Sequence, residues 1–185
     1  MESGSSRICG LDRAEWVLVR ERSDQAFADF RNSVRPIYAG RGRRPAHIGT
    51  CVLLDVDGTR VVSTAAHITD ELAATDLFVC GLVGKQLVPM IGGKVRATKP
   101  PVGGNRLADH LDCAFWRIPG SSVEALGEVE FLKASMLSHN RAPTQNRYYM
   151  AMGFLVSRNK KAVDRQSICL ASTISSAGDT HFCRS

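Results

Sequence analysis

The feature that most constrains this chain is an Asp57-Gly58 pair between two runs of strand-forming residues. Cys51-Val-Leu-Leu-Asp-Val precedes the pair, and Arg60-Val-Val-Ser-Thr-Ala follows it. Glycine tolerates the positive φ of a tight turn, so Asp-Gly between apolar runs predicts a β-hairpin over residues 48–66. The hairpin ends in Ala65-Ala66-His67, which brings a histidine to the end of a predicted strand.

Short strand-like segments recur along the rest of the chain. They cover residues 34–39, 77–83, 86–91, 95–98, 111–118, 147–156 and 167–171. A helical pattern covers residues 13–34, in which Ser23-Asp24 offers an N-cap, and a shorter helical stretch is predicted near residues 129–137. Many short strands with little helix predict an all-β chain, a barrel or a sandwich, preceded by a short N-terminal helix.

The charge balance bears on the kind of partner. The net charge is +6, and much of the excess lies at Arg41, Arg43 and Arg44 and at Arg158, Lys160 and Lys161. Only 6% of the residues are aromatic, and none is interleaved with these charges. Single-stranded nucleic acid is bound by basic grooves that carry stacking aromatics, so a nucleic-acid partner is disfavoured and basic surface loops are favoured.

The cysteines and the N-terminus bear on cofactors and compartment. The six cysteines form no Cys-x-x-Cys pair, so we expect no metal site and no cofactor. Cys51 and Cys113 lie in apolar runs and are interpreted as small core residues. The first residues lack a basic stretch followed by an apolar one, and no apolar run approaches the ~20 residues of a membrane span. These features predict a cytoplasmic protein without a membrane partner.

Three segments together resemble the trypsin-like (chymotrypsin-fold) serine peptidases. The first runs from Ile48-Gly-Thr-Cys-Val-Leu-Leu through the hairpin to Ser63-Thr-Ala-Ala-His67. The second is Asp109-His-Leu-Asp112-Cys-Ala-Phe-Trp-Arg-Ile, and the third is Tyr149-Met-Ala-Met-Gly-Phe, followed by Ser157-Arg-Asn-Lys. The resemblance covers about residues 33–165 and is closest to the bacterial intracellular members of the family.

The resemblance implies two catalytic residues. His67 matches the family's general base, which follows Thr-Ala-Ala, and Asp112 matches the acid that orients it, which opens an apolar strand. The separation of 45 positions suits one β-barrel between them. Asp109 is an alternative, but it does not lead directly into the apolar strand. The other histidines (47, 110, 139 and 181) lack such a context and are predicted to lie at the surface.

The family's nucleophile is not found in this sequence. It lies in Gly-x-Ser-Gly-Gly, and none of the ten serines after Asp112 is followed by Gly-Gly. Ser176 and Cys183 are poor alternatives, because both lack these glycines. We therefore expect the segment that carries the serine and the oxyanion hole to be missing, in a truncated or frame-disrupted copy of a longer peptidase or in a copy that has lost catalysis.

The resemblance also implies a domain organisation. Residues 1–33 form a tail and a helix, 34–119 a first β-barrel with His67 and Asp112, 120–146 a connector, and 147–185 the start of a truncated second barrel. The expected fold is thus a double β-barrel with its second barrel incomplete.

By family, the function is that of a serine endopeptidase acting on a protein or peptide substrate, and this chain alone is expected to be inactive. The alternative is a non-catalytic protein-binding module on the same barrel. Oligomeric state and substrate specificity are left open.

Overall fold

The computed structural model describes residues 13–40, 45–70, 76–81, 86–90, 93–100, 102–103, 111–137, 149–154 and 169–173. Its helices are α1 (Arg13–Phe30), α2 (Ala66–Asp70) and α3 (Gly120–Leu126), with one 3-10 turn at Ala134–Met136. Its strands are β1 (Val34–Ala39), β2 (Ala46–Val56), β3 (Thr59–Thr64), β4 (Leu77–Cys80), β5 (Leu87–Pro89), β6 (Lys94–Ala97), β7 (Ala114–Arg117), β8 (Leu132–Lys133), β9 (Tyr149–Gly153) and β10 (Cys169–Thr173). None of these helices is long and apolar enough to cross a membrane.

The predicted hairpin is confirmed as β2 and β3. Asp57 and Gly58 have φ values of 49° and 79°, as a type I′ turn requires. The Asp55 carboxylate accepts a hydrogen bond from the Gly58 amide at 2.8 Å and pairs with Arg60 at 2.9 Å, so it holds both sides of the turn. Cys51, Leu53 and Val62 of this hairpin are almost fully buried and belong to the core.

Within the described part of the chain, seven strands follow one another in a single antiparallel sheet, in the order β5-β4-β1-β2-β3-β7-β6. The short strand β8 pairs in parallel with β2, and β9 and β10 pair with each other. The edge strands β5 and β6 are connected by residues 90–93 alone, which can span at most about 18 Å. This short connection brings the two edges of the sheet close together, so the sheet is curled.

Gly93 lies directly before β6 and close to β7. A Cβ atom at this position would come within 2.1 Å of the Arg117 carbonyl oxygen and 2.2 Å of the Trp116 indole nitrogen, both on β7. Trp116 itself is buried, at 5% exposure. Gly93, the residue before β6, therefore packs directly against the Trp116 ring.

The core lies inside the curled sheet. Its fully buried side chains include Leu53, Val62 and Val79, and Leu126 of α3 covers one end. Cys51 is buried as predicted, whereas Cys113 is only half-buried. Burial in this apolar core raises the pKa of the Cys51 thiol to about 12, which leaves the thiol protonated and unreactive at neutral pH.

The helices differ in part from the sequence prediction. The helix near the N-terminus is confirmed, but it runs unbroken through Ser23, whose hydroxyl donates to the Val19 carbonyl oxygen four residues earlier at 2.8 Å. Ser23 therefore does not cap a helix, because its side chain is bonded within the preceding turn. With α2 and α3 added, the described residues form a mixed α/β fold dominated by one curled antiparallel sheet, rather than an all-β fold.

The connector after β7 also differs from the prediction. Its helix is α3, which begins directly after Pro119, and residues 129–137 hold the short strand β8 and the 3-10 turn but no α-helix. The amides of Ser122 and Val123 both donate to the Pro119 carbonyl oxygen. A proline with fixed φ suits the start of a helix.

His47 corrects the expectation that it lies at the surface, because only 7% of it is exposed. Its Nε2 donates to the Gly49 carbonyl oxygen at 2.7 Å, and its buried Nδ1 has no hydrogen-bond partner among the described residues. The ring lies 5.4 Å from that of Tyr38 and 6.3 Å from that of Phe154. Burial lowers the pKa of His47, and the bond to Gly49 offsets this only in part.

The stability of the fold is therefore expected to depend on pH through His47. Because the folded pKa lies below the unfolded value of 6.5, the unfolded chain binds the proton first as the pH falls. The stabilisation is present above that value and is lost as the pH falls toward the folded pKa. Urea unfolding between pH 5 and pH 7.5 tests this, with His47→Gln as a variant that keeps a donor but does not titrate. Identical pH profiles for both proteins would contradict the prediction.

Candidate active site: an Asp–His pair

The main chain turns sharply after β3 and so presents His67. The Ile68 amide donates to the Ala65 carbonyl oxygen at 3.2 Å, and the Thr69 hydroxyl donates to that of Ala66 at 2.7 Å. Ile68 packs tightly on β2, where a Cβ atom at Gly49 would come within 2.7 Å of its Cδ1. With Ile68 facing the sheet, the His67 side chain points outward and is 53% exposed.

Asp112 reaches His67 because of the pairing between β3 and β7. In this antiparallel pair Thr64 lies opposite Ala114, so the residues before β7 lie beside those after β3. Asp112 is thus brought to the start of α2, although 45 positions separate it from His67. Of the two aspartates considered from the sequence, Asp112 is the one placed here, and Asp109 lies outside the described residues.

Both carboxylate oxygens of Asp112 contact His67. Oδ2 lies 2.6 Å from the imidazole Nδ1, and Oδ1 accepts a hydrogen bond from the His67 backbone amide at 2.9 Å. An ionised carboxylate can only accept, so the neutral ring carries its proton on Nδ1 and leaves the Nε2 lone pair bare. The amide contact holds the carboxylate in place, and the carboxylate in turn fixes the ring. The pair can therefore take up a proton at an exposed Nε2.

Thr64 and Thr50 connect this site to the end of β9 through two hydrogen bonds. The Thr64 hydroxyl donates to the Thr50 carbonyl oxygen at 2.9 Å, and the Thr50 hydroxyl accepts a hydrogen bond from the Phe154 amide at 2.8 Å. Thr50 belongs to the Gly-Thr-Cys segment singled out in the sequence, but its role there was not predicted. No sequence signal marks it, because Phe154 is 104 positions away.

The structure places His67 and Asp112 together, but it places no nucleophile beside them in the part of the chain that it describes. Within the described residues, no serine or cysteine side chain is hydrogen-bonded to His67, and no group of three or more histidine, cysteine, aspartate or glutamate side chains could hold a metal ion. Ser176, Cys183, the two basic groups at residues 41–44 and 158–161, and His110, His139 and His181 lie outside the part of the chain that the structure describes.

Comparison of the sequence with protein-family models and with curated proteins finds no match to either. The features that point to a function are therefore the geometry of the His67–Asp112 pair and the motifs around it.

Proposed function

We propose that this chain carries the proton-transfer half of a trypsin-like serine endopeptidase, in which His67 is the general base and Asp112 orients it. The observation that carries the proposal is the double contact of Asp112, to Nδ1 and to the backbone amide of His67. A surface ion pair needs only one such contact. An acid that binds both the ring and the backbone of a histidine controls the ring's position and its tautomer together.

The fold supports the same proposal. His67 follows the third strand of a curled antiparallel sheet, and Asp112 opens the strand that pairs with it. We take this sheet as the first barrel of a double-barrel fold and assign β9 to the second. The site then lies at the end of the sheet, where a substrate peptide and a nucleophile from the second barrel have access to the exposed Nε2.

The chemistry that this pair can perform is general acid–base catalysis of acyl transfer. The His67 Nε2 takes the proton from a serine hydroxyl as its oxygen attacks the scissile carbonyl carbon, and it returns that proton to the leaving amine. Asp112 stays ionised and stabilises the imidazolium that forms in between. A second pass through the same steps, with water in place of the serine, releases the acid product.

The nucleophile must come from a segment with the Gly-x-Ser-Gly-Gly motif, which this sequence does not contain. The absence of the motif favours the second candidate, a protein-binding module that keeps the barrel without catalysis. The two candidates differ in what they require of His67, because only a peptidase needs a bare Nε2 and a fixed tautomer.

The pair itself is tested by nitrogen-15 NMR of the His67 ring. We expect the Nδ1–H tautomer in the native chain, with a strongly downfield Nδ1 proton. In Asp112→Asn, the amide can donate to the ring, so we expect the Nδ1 proton signal to be lost and the Nε2–H tautomer to appear.

Asp57→Asn is the matched control, since it makes the same chemical change at the hairpin turn, where asparagine also tolerates the positive φ. A native His67 in the Nε2–H form, or an unchanged spectrum in Asp112→Asn, would refute the proposed pair.

A further inference from the structure

Thr50 lies where the β2–β3 ladder ends. The last pair of that ladder is Val52 with Ser63, so the Thr50 backbone lies two residues beyond it. Its carbonyl oxygen is instead bonded by the Thr64 hydroxyl, three positions before His67. On the side that faces β2, the last residue of β3 is therefore held by its side chain, while on the other side it pairs with Ala114 of β7.

The Thr50 side chain faces the C-terminal segment. Its Oγ1 accepts the hydrogen bond of the Phe154 amide, and Phe154 is buried, at 7% exposure. The approach is close, because a Cβ atom at Gly153 would lie 3.4 Å from Oγ1 and 3.8 Å from Cγ2 of Thr50. The hydroxyl and the methyl group of one residue thus both meet the end of β9.

We infer that Thr50 is a positioning residue, which fixes the end of β9 relative to the strand end that carries His67. It bonds to both sides at once, through its carbonyl oxygen to Thr64 and through its hydroxyl to Phe154. The catalytic consequence rests on the proposed function. If β9 belongs to the half that supplies the nucleophile, Thr50 sets the distance between that half and His67, and a misplacement of about 1 Å costs on the order of 100-fold in rate.

Hydrogen exchange of the Phe154 amide tests whether the Thr50 hydroxyl holds the end of β9. The measurement uses the 185-residue chain and needs no assay of activity. Thr50→Val keeps the shape but removes the acceptor, so we expect the Phe154 amide to exchange roughly 10-fold faster. Thr50→Ser keeps the hydroxyl and should restore slow exchange. Thr59→Val, the same change at the far end of β3, is the control and should leave Phe154 unaffected.

The positioning role is tested by kinetics in a form of the protein that hydrolyses peptides. We expect Thr50→Val to lower kcat by about 10- to 100-fold with little change in KM, and Thr50→Ser to recover most of it. If Thr50→Val leaves the exchange rate of the Phe154 amide unchanged, Thr50 does not hold the end of β9, whatever the activity. Faster exchange with unchanged kcat overturns the positioning role. Activity that persists in His67→Ala refutes the proposed function instead, and the exchange result still decides whether Thr50 holds β9.

Discussion

Replacing Asp112 by asparagine is expected to lower kcat about 10⁴-fold in a form of this protein that includes a Gly-x-Ser-Gly-Gly segment. The carboxylate accepts from both Nδ1 and the backbone amide of His67, so it determines which ring nitrogen is bare. An asparagine keeps the size of the side chain but can donate its amide hydrogen to the ring. The ring then carries its proton on Nε2 and cannot take one from a serine.

The measurement compares kcat and KM of the longest form that the gene encodes with those of Asp112→Asn, His67→Ala and the control Asp57→Asn. His67→Ala removes the base itself and should cost at least as much, while Asp57→Asn should cost nothing. Activity that survives in either of the first two variants would assign the chemistry to other residues.

The 185-residue chain supplies a complementary test with a fluorophosphonate probe. Because its sequence has no Gly-x-Ser-Gly-Gly, we expect none of its serines to be labelled. Stoichiometric labelling of one serine that disappears in His67→Ala would place the nucleophile within this chain after all.

The sequence predicts an element of this fold well where the residues that determine the element are close together in the chain. The hairpin and β1 were predicted closely, because Asp57-Gly58 and the apolar runs beside them carry the information within a few residues. The His67–Asp112 pair was predicted from two separate motifs. Its geometry follows from the pairing of β3 with β7, which no local pattern specifies. The assignment of the two catalytic roles remains a prediction.

Features that depend on distant contacts were missed. His47 was expected at the surface, but it is buried between the rings of Tyr38 and Phe154. Arg35 lies in a strand and yet is only 3% exposed, because its guanidinium donates to the carbonyl oxygens of Cys80 and Gly81. Phe154 and Cys80 lie far along the chain from His47 and Arg35, so no local pattern indicates that either residue is buried.

Gly93→Ala is expected to destabilise the fold by about 3 kcal/mol, at the upper end of the cost of overpacking a core. The new methyl group would meet the Arg117 carbonyl oxygen and the Trp116 ring at little more than 2 Å, so the strand connection must move away from β7. Neither neighbour can yield easily. One is backbone within the β6–β7 ladder, and the other is a buried indole. Gly93 is not among the glycines with positive φ, so the cost is steric and not conformational.

Gly120→Ala provides the matched control for this prediction. It makes the same change at the first residue of α3, where an added Cβ atom would meet no atom within 4 Å. Alanine is the better helix former, so we expect this variant to be neutral or slightly more stable. In thermal unfolding, about 3 kcal/mol lowers Tm by roughly 6–12 °C in a chain of this size. A Gly93→Ala protein as stable as Gly120→Ala would mean that Gly93 does not pack against Trp116 and Arg117 of β7, and would contradict the close approach of the β5–β6 connection to β7 at this residue.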